Sequence, residues 1–146
     1  MTYNSRWRLE KIMSRRELRE HLFRMLFRKE FHNQTELNEQ IDLYFNGLDQ
    51  CPSDKDRNYL EDKFDRVIAN MEAIDETIEA ASSGWKLSRI GKVDLAILRL
   101  AVYEVEYDED IPTGVAINEA VELAKKFGED QSASFINGIL AKVANK

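Results

Sequence analysis

Val93-Asp-Leu-Ala-Ile-Leu-Arg-Leu-Ala-Val-Tyr-Glu-Val-Glu-Tyr107 decides the fold. Val93, Ala96, Ile97, Leu100, Tyr103 and Tyr107 keep the i, i+3, i+4, i+7 spacing of one helical face. Leu95, Leu98, Ala101 and Val102 fill much of the other face. A helix that is apolar nearly all round is the buried centre of a bundle, so its neighbours must be helices that cover it.

Downstream, Pro112 keeps Ile111 out of the α region and marks a helix start. Ile117, Ala120, Val121, Ala124 and Phe127 form the next expected stripe, and Gly128 reads as a left-handed C′ glycine. Ser132 is the expected cap of a last helix with Phe135, Ile136, Ile139, Leu140 and Val143 inward. Asn118 and Asn137 interrupt these apolar patterns and are expected to be half-buried in a hydrogen-bonded network. Gly138 costs ~1 kcal/mol inside a helix, which suggests a close backbone approach there.

Upstream, Leu18, Leu22, Met25 and Leu26 make one stripe of a helix from Ser14 to about Lys29. A second helix is expected from Thr35 as N-cap to Gly47, with Leu37, Ile41, Tyr44 and Phe45 inward. A long helical stretch runs from about Asp54 to Ala81, capped by Ser53 or Asp54, with an expected break near Met71. The count is six or seven helices, and the fold class is all-α.

The chain has 146 residues and a net charge of −6. Its 43% hydrophobic and 33% charged residues place it among globular proteins rather than disordered ones. A single cysteine, Cys51, excludes an intrachain disulfide and fits a reducing compartment. With only His21 and His32 besides, a Cys/His zinc cluster is excluded and no metal site is expected. No apolar stretch reaches membrane-span length and the N-terminus lacks a signal-peptide core, so a cytoplasmic protein without membrane contact is expected. Glycine-rich phosphate loops and a GxSxG elbow are absent. Cys51 precedes a proline with no His beside it, and Asp108-Glu109-Asp110 reads as a solvated loop. Nothing assembles into a catalytic site, and no cofactor is implied.

The charge is unevenly spread. Residues 1–30 carry +5 and residues 31–146 carry −11. A basic end on an acidic body suits a polyanion; a solvated N-terminal arm is the other reading. Arg15, Arg16 and Arg19 fall in the first turns of the first helix, where the macrodipole disfavours each cation by ~0.3–1 kcal/mol. Stability alone would not choose them, whereas an anionic ligand would meet guanidinium groups there. Arg6, Arg8, Lys11, Arg24 and Arg28 extend the positive region. Trp7, Phe23 and Phe27 offer stacking faces for single-stranded RNA, with Phe23 better suited to the core.

Val93–Glu104, Ile111-Pro112, Val115–Gly128 and Ser132…Phe135-Ile-Asn-Gly-Ile-Leu140 follow in order over 48 residues. Together they resemble the NusB family of transcription antitermination factors. Ser14-Arg-Arg-Glu-Leu-Arg19 resembles the family's arginine-rich opening helix. The resemblance spans roughly residues 13–143, with residues 31–82 agreeing mainly in pattern. It implies two small helical bundles packed together, with subdomains of about 14–81 and 82–146 in one domain. Residues 1–13 read as an N-terminal extension expected to be flexible, or as a lead before a start at Met13. The resemblance implies no enzymatic activity. It implies binding of the single-stranded boxA element of nascent RNA beside NusE, a small-subunit ribosomal protein. Such a complex joins RNA polymerase in antitermination, notably on ribosomal RNA operons, and some members form homodimers.

Residue by residue, the resemblance puts RNA contacts on Arg15, Arg16 and Arg19, and on the segment Gly128–Phe135 with Gln131, Ser132 and Phe135. It puts Phe27 at the partner surface. Gln131 stands where many members have Asp, and Leu95 where many have a basic residue; the first is expected to alter RNA contacts, the second the surface or oligomerisation. Two other functions stay open: a helical protein-interaction scaffold without specific RNA binding, and an accessory to a ribosomal RNA methyltransferase.

Overall fold

The computed structural model describes residues 10, 11 and 13–145. The described residues form seven α-helices in two compact units, Met1–Asp65 and Arg66–Lys146. The fold is all-α, as the periodicities require. Trp7, Arg6, Arg8 and most of the expected N-terminal extension lie outside the described residues.

The first unit holds α1 (Arg15–Lys29), α2 (Gln34–Asn46) and the greater part of α3 (Asp54–Ala69). A two-residue strand β1 (Glu10–Lys11) pairs in parallel with β2 (Cys51–Pro52), Glu10 opposite Cys51. Ser14 caps α1 with a full capping box: its Oγ accepts from the Glu17 N–H at 3.1 Å, and its own N–H donates to Glu17 Oε1 at 3.3 Å. Leu22, Met25 and Leu26 are fully buried, each worth about 1.5–3 kcal/mol of apolar transfer. The N-cap of α2 is Asn33, not Thr35; Asn33 Oδ1 accepts from the Glu36 N–H at 2.9 Å. Asn holds the capping geometry as well as Thr does, so the helix begins two residues earlier than expected and takes in Gln34 and Thr35. Ser53 caps α3, accepting from the Asp56 N–H at 3.1 Å.

The second unit holds α4 (Met71–Ala81), a 3-10 turn at Leu87–Arg89, α5 (Lys92–Tyr107), α6 (Thr113–Phe127) and α7 (Ser132–Ala144). The expected break in the long helical stretch falls at Asn70, the N-cap of α4. α5 is the centre: residues 95–104 are buried without interruption, and α4, α6 and α7 all pack on it. Leu95 belongs to this core at 5% exposure, so a leucine there serves packing and not the surface.

The face of α6 differs from the expected stripe. Ala116, Ala120, Leu123 and Ala124 are buried, while Ile117 and Val121 are half-buried. Small residues let α6 and α7 approach closely, and the larger Ile117 and Val121 are displaced to the rim. They line a concavity of about 520 Å³ with Asn118 and Asn137, both exposed. The expected buried asparagine network is therefore absent: both side chains meet water. A Cβ on Gly138 would meet nothing within 4 Å, so no close approach requires that glycine.

Candidate nucleic-acid interface

The capping box fixes where α1 begins, and so where its arginines stand. Arg15 and Arg16 follow the cap directly and are exposed. Arg19, one turn on, is only 7% exposed and is engaged within the protein. The capping box places Glu17 at the positive end of the helix, and Arg15 and Arg16 add two exposed cations there against the macrodipole. Arg24 lies 3.9 Å from the Glu20 carboxylate, and Arg28 sits over the Tyr44 ring at 4.5 Å. Both are thus committed to neighbours within the protein.

Phe23 is core, as its pattern implied. Phe27 is half-buried, between the Phe23 ring at 6.2 Å and the Phe31 ring at 5.1 Å. Phe31 is 54% exposed, so this aromatic row grades from core to solvent along α1 and just past its end. Nearby, Tyr44 Oη and His21 Nδ1 share a hydrogen bond of 2.5 Å. Burial pushes the Tyr44 phenol above its ordinary value of 10.0, against the lowering pull of Arg24 and Arg28.

In the second unit, the segment after α6 is a tight turn. Gly128 is extended at φ −92° and ψ −170°, not the expected left-handed glycine. The reason for glycine is space: a Cβ would lie 2.6 Å from the Ser132 side chain and 2.8 Å from the Ala124 carbonyl. Ser132 does not cap α7, whose N-cap is Gln131. Its buried hydroxyl instead accepts from the Glu129 N–H at 3.0 Å and closes the turn. Gln131 is exposed at the mouth of this turn, and Phe135 is half-buried one helical turn along. Lys125 and Lys126 are exposed in the last turn of α6, where cations suit the helix C-terminus.

Sequence reading missed Trp85. Its indole packs against the Phe135 ring, with centroids 5.9 Å apart and planes at 55°. Fifty residues separate the two in the chain, and no periodicity links a loop tryptophan to a helix face. The expected residues thus fall into two groups: Arg15, Arg16, Arg19 and Phe27 on α1 of the first unit, and Gln131, Ser132 and Phe135 at the start of α7 in the second. Among the described residues no three His, Cys, Asp or Glu side chains gather as a metal site, and no helix is long and apolar enough to cross a membrane.

The NusB family model matches residues 16–145. A transcription antitermination protein NusB of Lachnoclostridium phytofermentans is 58% identical over 131 residues, covering 90% of this chain and 98% of that protein. Its counterpart in Agathobacter rectalis is 52% identical over 132 residues, covering 90% of this chain and all of that protein. Among solved structures, T. maritima NusB superposes with a TM-score of 0.80 at 33% identity, covering 93% of this chain and 94% of that one. A crystal structure of the antitermination factors NusB and NusE in complex with dsRNA matches with a TM-score of 0.74 at 25% identity, covering 90% of this chain and 96% of that one.

Proposed function

The chain belongs to the NusB family, and from that premise we propose that it is an RNA-binding transcription antitermination factor and not an enzyme. It binds boxA-type RNA together with a NusE-type ribosomal protein, acts in the cytoplasm, and supports transcription of ribosomal RNA operons. The observation that carries the RNA-binding part is the pair Arg15 and Arg16, exposed at the positive end of α1. Two cations that cost the helix stability are explained by an anion that rewards them.

Each unit contributes its own contacts. Arg15 and Arg16 neutralise phosphates; Arg19, being buried, contributes less and holds α1 in place. Gln131 and Phe135 face the RNA from the second unit, while Ser132 keeps the turn closed beneath them. Phe27, with the exposed Phe31 beside it, faces the ribosomal-protein partner. Gln131 is neutral where many relatives carry an acid, which removes one charge that would repel a phosphate.

The test is a titration of fluorescent boxA RNA and a scrambled control, with and without a NusE-type protein, at two salt concentrations. Tighter boxA binding that the partner strengthens supports the proposal. The log–log salt slope should be about −0.7 per phosphate neutralised. Equal weak binding of both RNAs with the partner present would overturn it and leave a protein-interaction scaffold.

A further inference from the structure

Ser82–Trp85 forms a turn in which Ser83 (φ 56°) and Gly84 (φ 92°) both take left-handed backbone. It is pinned from several sides. The Ser82 hydroxyl lies 2.9 Å from the Glu79 carbonyl and 2.7 Å from the Trp85 carbonyl, and its single proton donates to one or the other. The Trp85 N–H donates to the Ser82 carbonyl at 3.3 Å. Lys142 Nζ donates to Ser83 Oγ. The Glu79 carboxylate accepts from the Leu87 N–H at 3.1 Å, which turns that acid toward the backbone.

What this mount displays is an indole 52% exposed, backed by the Phe135 ring. A surface concavity of about 420 Å³ runs beside it, lined by Gly84, Trp85, Lys86 and Arg89. Lys86 and Arg89 are both exposed. An exposed tryptophan alone means little. A rigidly held one, backed by a second aromatic and flanked by two cations on a chain whose residues 31–146 carry −11, is a different object. Flat apolar rings take nucleobases of any sequence by stacking, and adjacent cations take the phosphates between them.

We propose that the Ser82–Trp85 turn is a base-stacking subsite: one unpaired base of bound RNA stacks on Trp85, and Lys86 and Arg89 hold the flanking phosphate. This rests on the RNA-binding reading above and extends it to residues outside the segments discussed there. Because Phe135 backs the indole, its contribution to RNA binding includes positioning Trp85.

The experiment uses the full chain with Trp7→Phe as background, leaving Trp85 as the sole tryptophan. All comparisons are made within that background, with the NusE-type partner present. Stacking should quench Trp85 fluorescence as boxA RNA is added. Trp85→Ala should weaken RNA binding roughly ten-fold, and Trp85→Phe distinctly less. Lys86→Ala/Arg89→Ala, a surface change that leaves the turn's hydrogen bonds intact, should also weaken binding and flatten the salt slope. Far-UV circular dichroism checks the fold of each variant. If boxA RNA binds, Arg15→Ala/Arg16→Ala weakens it, and yet Trp85 is not quenched and its variants bind normally, the subsite is refuted while the function stands. Loss of affinity for the partner protein with RNA affinity intact would likewise refute it and assign the turn to protein contact. If boxA is not preferred even before substitution, both fall together.

Discussion

Arg99 donates through Nε and Nη2 to the two carboxylate oxygens of Asp75, at 2.8 and 2.9 Å, tying α5 to α4. Arg99 is 5% exposed, so this pair is made largely out of contact with water. Asp75→Ala should destabilise the protein by about 3 kcal/mol, because it takes the two-pronged carboxylate partner from a buried guanidinium. Arg99→Lys should not restore stability, since an ammonium cannot make the two-pronged contact. Urea unfolding of the three proteins checks both statements.

Gly128 should tolerate no side chain. Gly128→Ala puts a methyl 2.6 Å from Ser132 and 2.8 Å from a backbone oxygen. The expected cost is about 1–3 kcal/mol from overpacking. Ser132→Gly, which loses the Glu129 N–H bond, should cost less in the Gly128→Ala background than alone, because the side chain is one of the two obstacles. Thermal melts of the single and double variants decide this.

The cap and the arginines of α1 should separate cleanly. Ser14→Ala removes the acceptor of the Glu17 N–H and should cost about 1 kcal/mol of stability. Arg15→Ala should leave stability unchanged or raise it slightly, up to about 0.5 kcal/mol, since it removes a cation from the positive helix end. The same change should weaken RNA binding and reduce the magnitude of the salt slope by about 0.7 if one phosphate contact is lost. Unfolding and binding measured on the same samples give the two signs.

Tyr44 should make the protein alkali-sensitive. Its phenol is raised above 10.0 in the folded state by burial. The folded protein therefore holds this proton more tightly than the unfolded chain does. That stabilisation is fully present below about pH 10 and is lost as pH rises through the folded-state value. Tyr44→Phe should be weaker at neutral pH, having lost the His21 hydrogen bond, yet decline less steeply between pH 9 and 11. Denaturant midpoints across that range check the slope.

The sequence was most legible where burial follows a period. α5 reads directly from its all-round apolar face, and the start of α1 from Ser14, a residue type suited to a helix cap. It was least legible where two helices meet through small residues. Ala116, Ala120 and Ala124 draw α6 onto its neighbours, which moves Ile117 and Val121 to the rim and leaves Asn118 and Asn137 in water. Gly128 was marked correctly as a stop but for the wrong reason, since the crowding by Ser132 exists only once the turn is closed. In the site, Arg15 and Arg16 were readable as cations placed against the helix field. Arg19 was chosen on the same ground, and its burial was invisible to a charge argument. Trp85 was not readable, because its meaning lies in the ring it touches on α7.

Residues 95–104 of α5 are buried in succession, and three helices rest on them. Any fluctuation that frees this segment must undo all three interfaces together. Its amides should therefore exchange with deuterium only when the whole unit opens, while the Asp108–Ile111 loop exchanges locally. The Ser82–Trp85 turn hangs from α4, and the Gly128–Phe135 turn leads into α7, both in contact with α5. The surface these turns present is thus assembled and lost as one piece, and its lifetime is the lifetime of the closed unit.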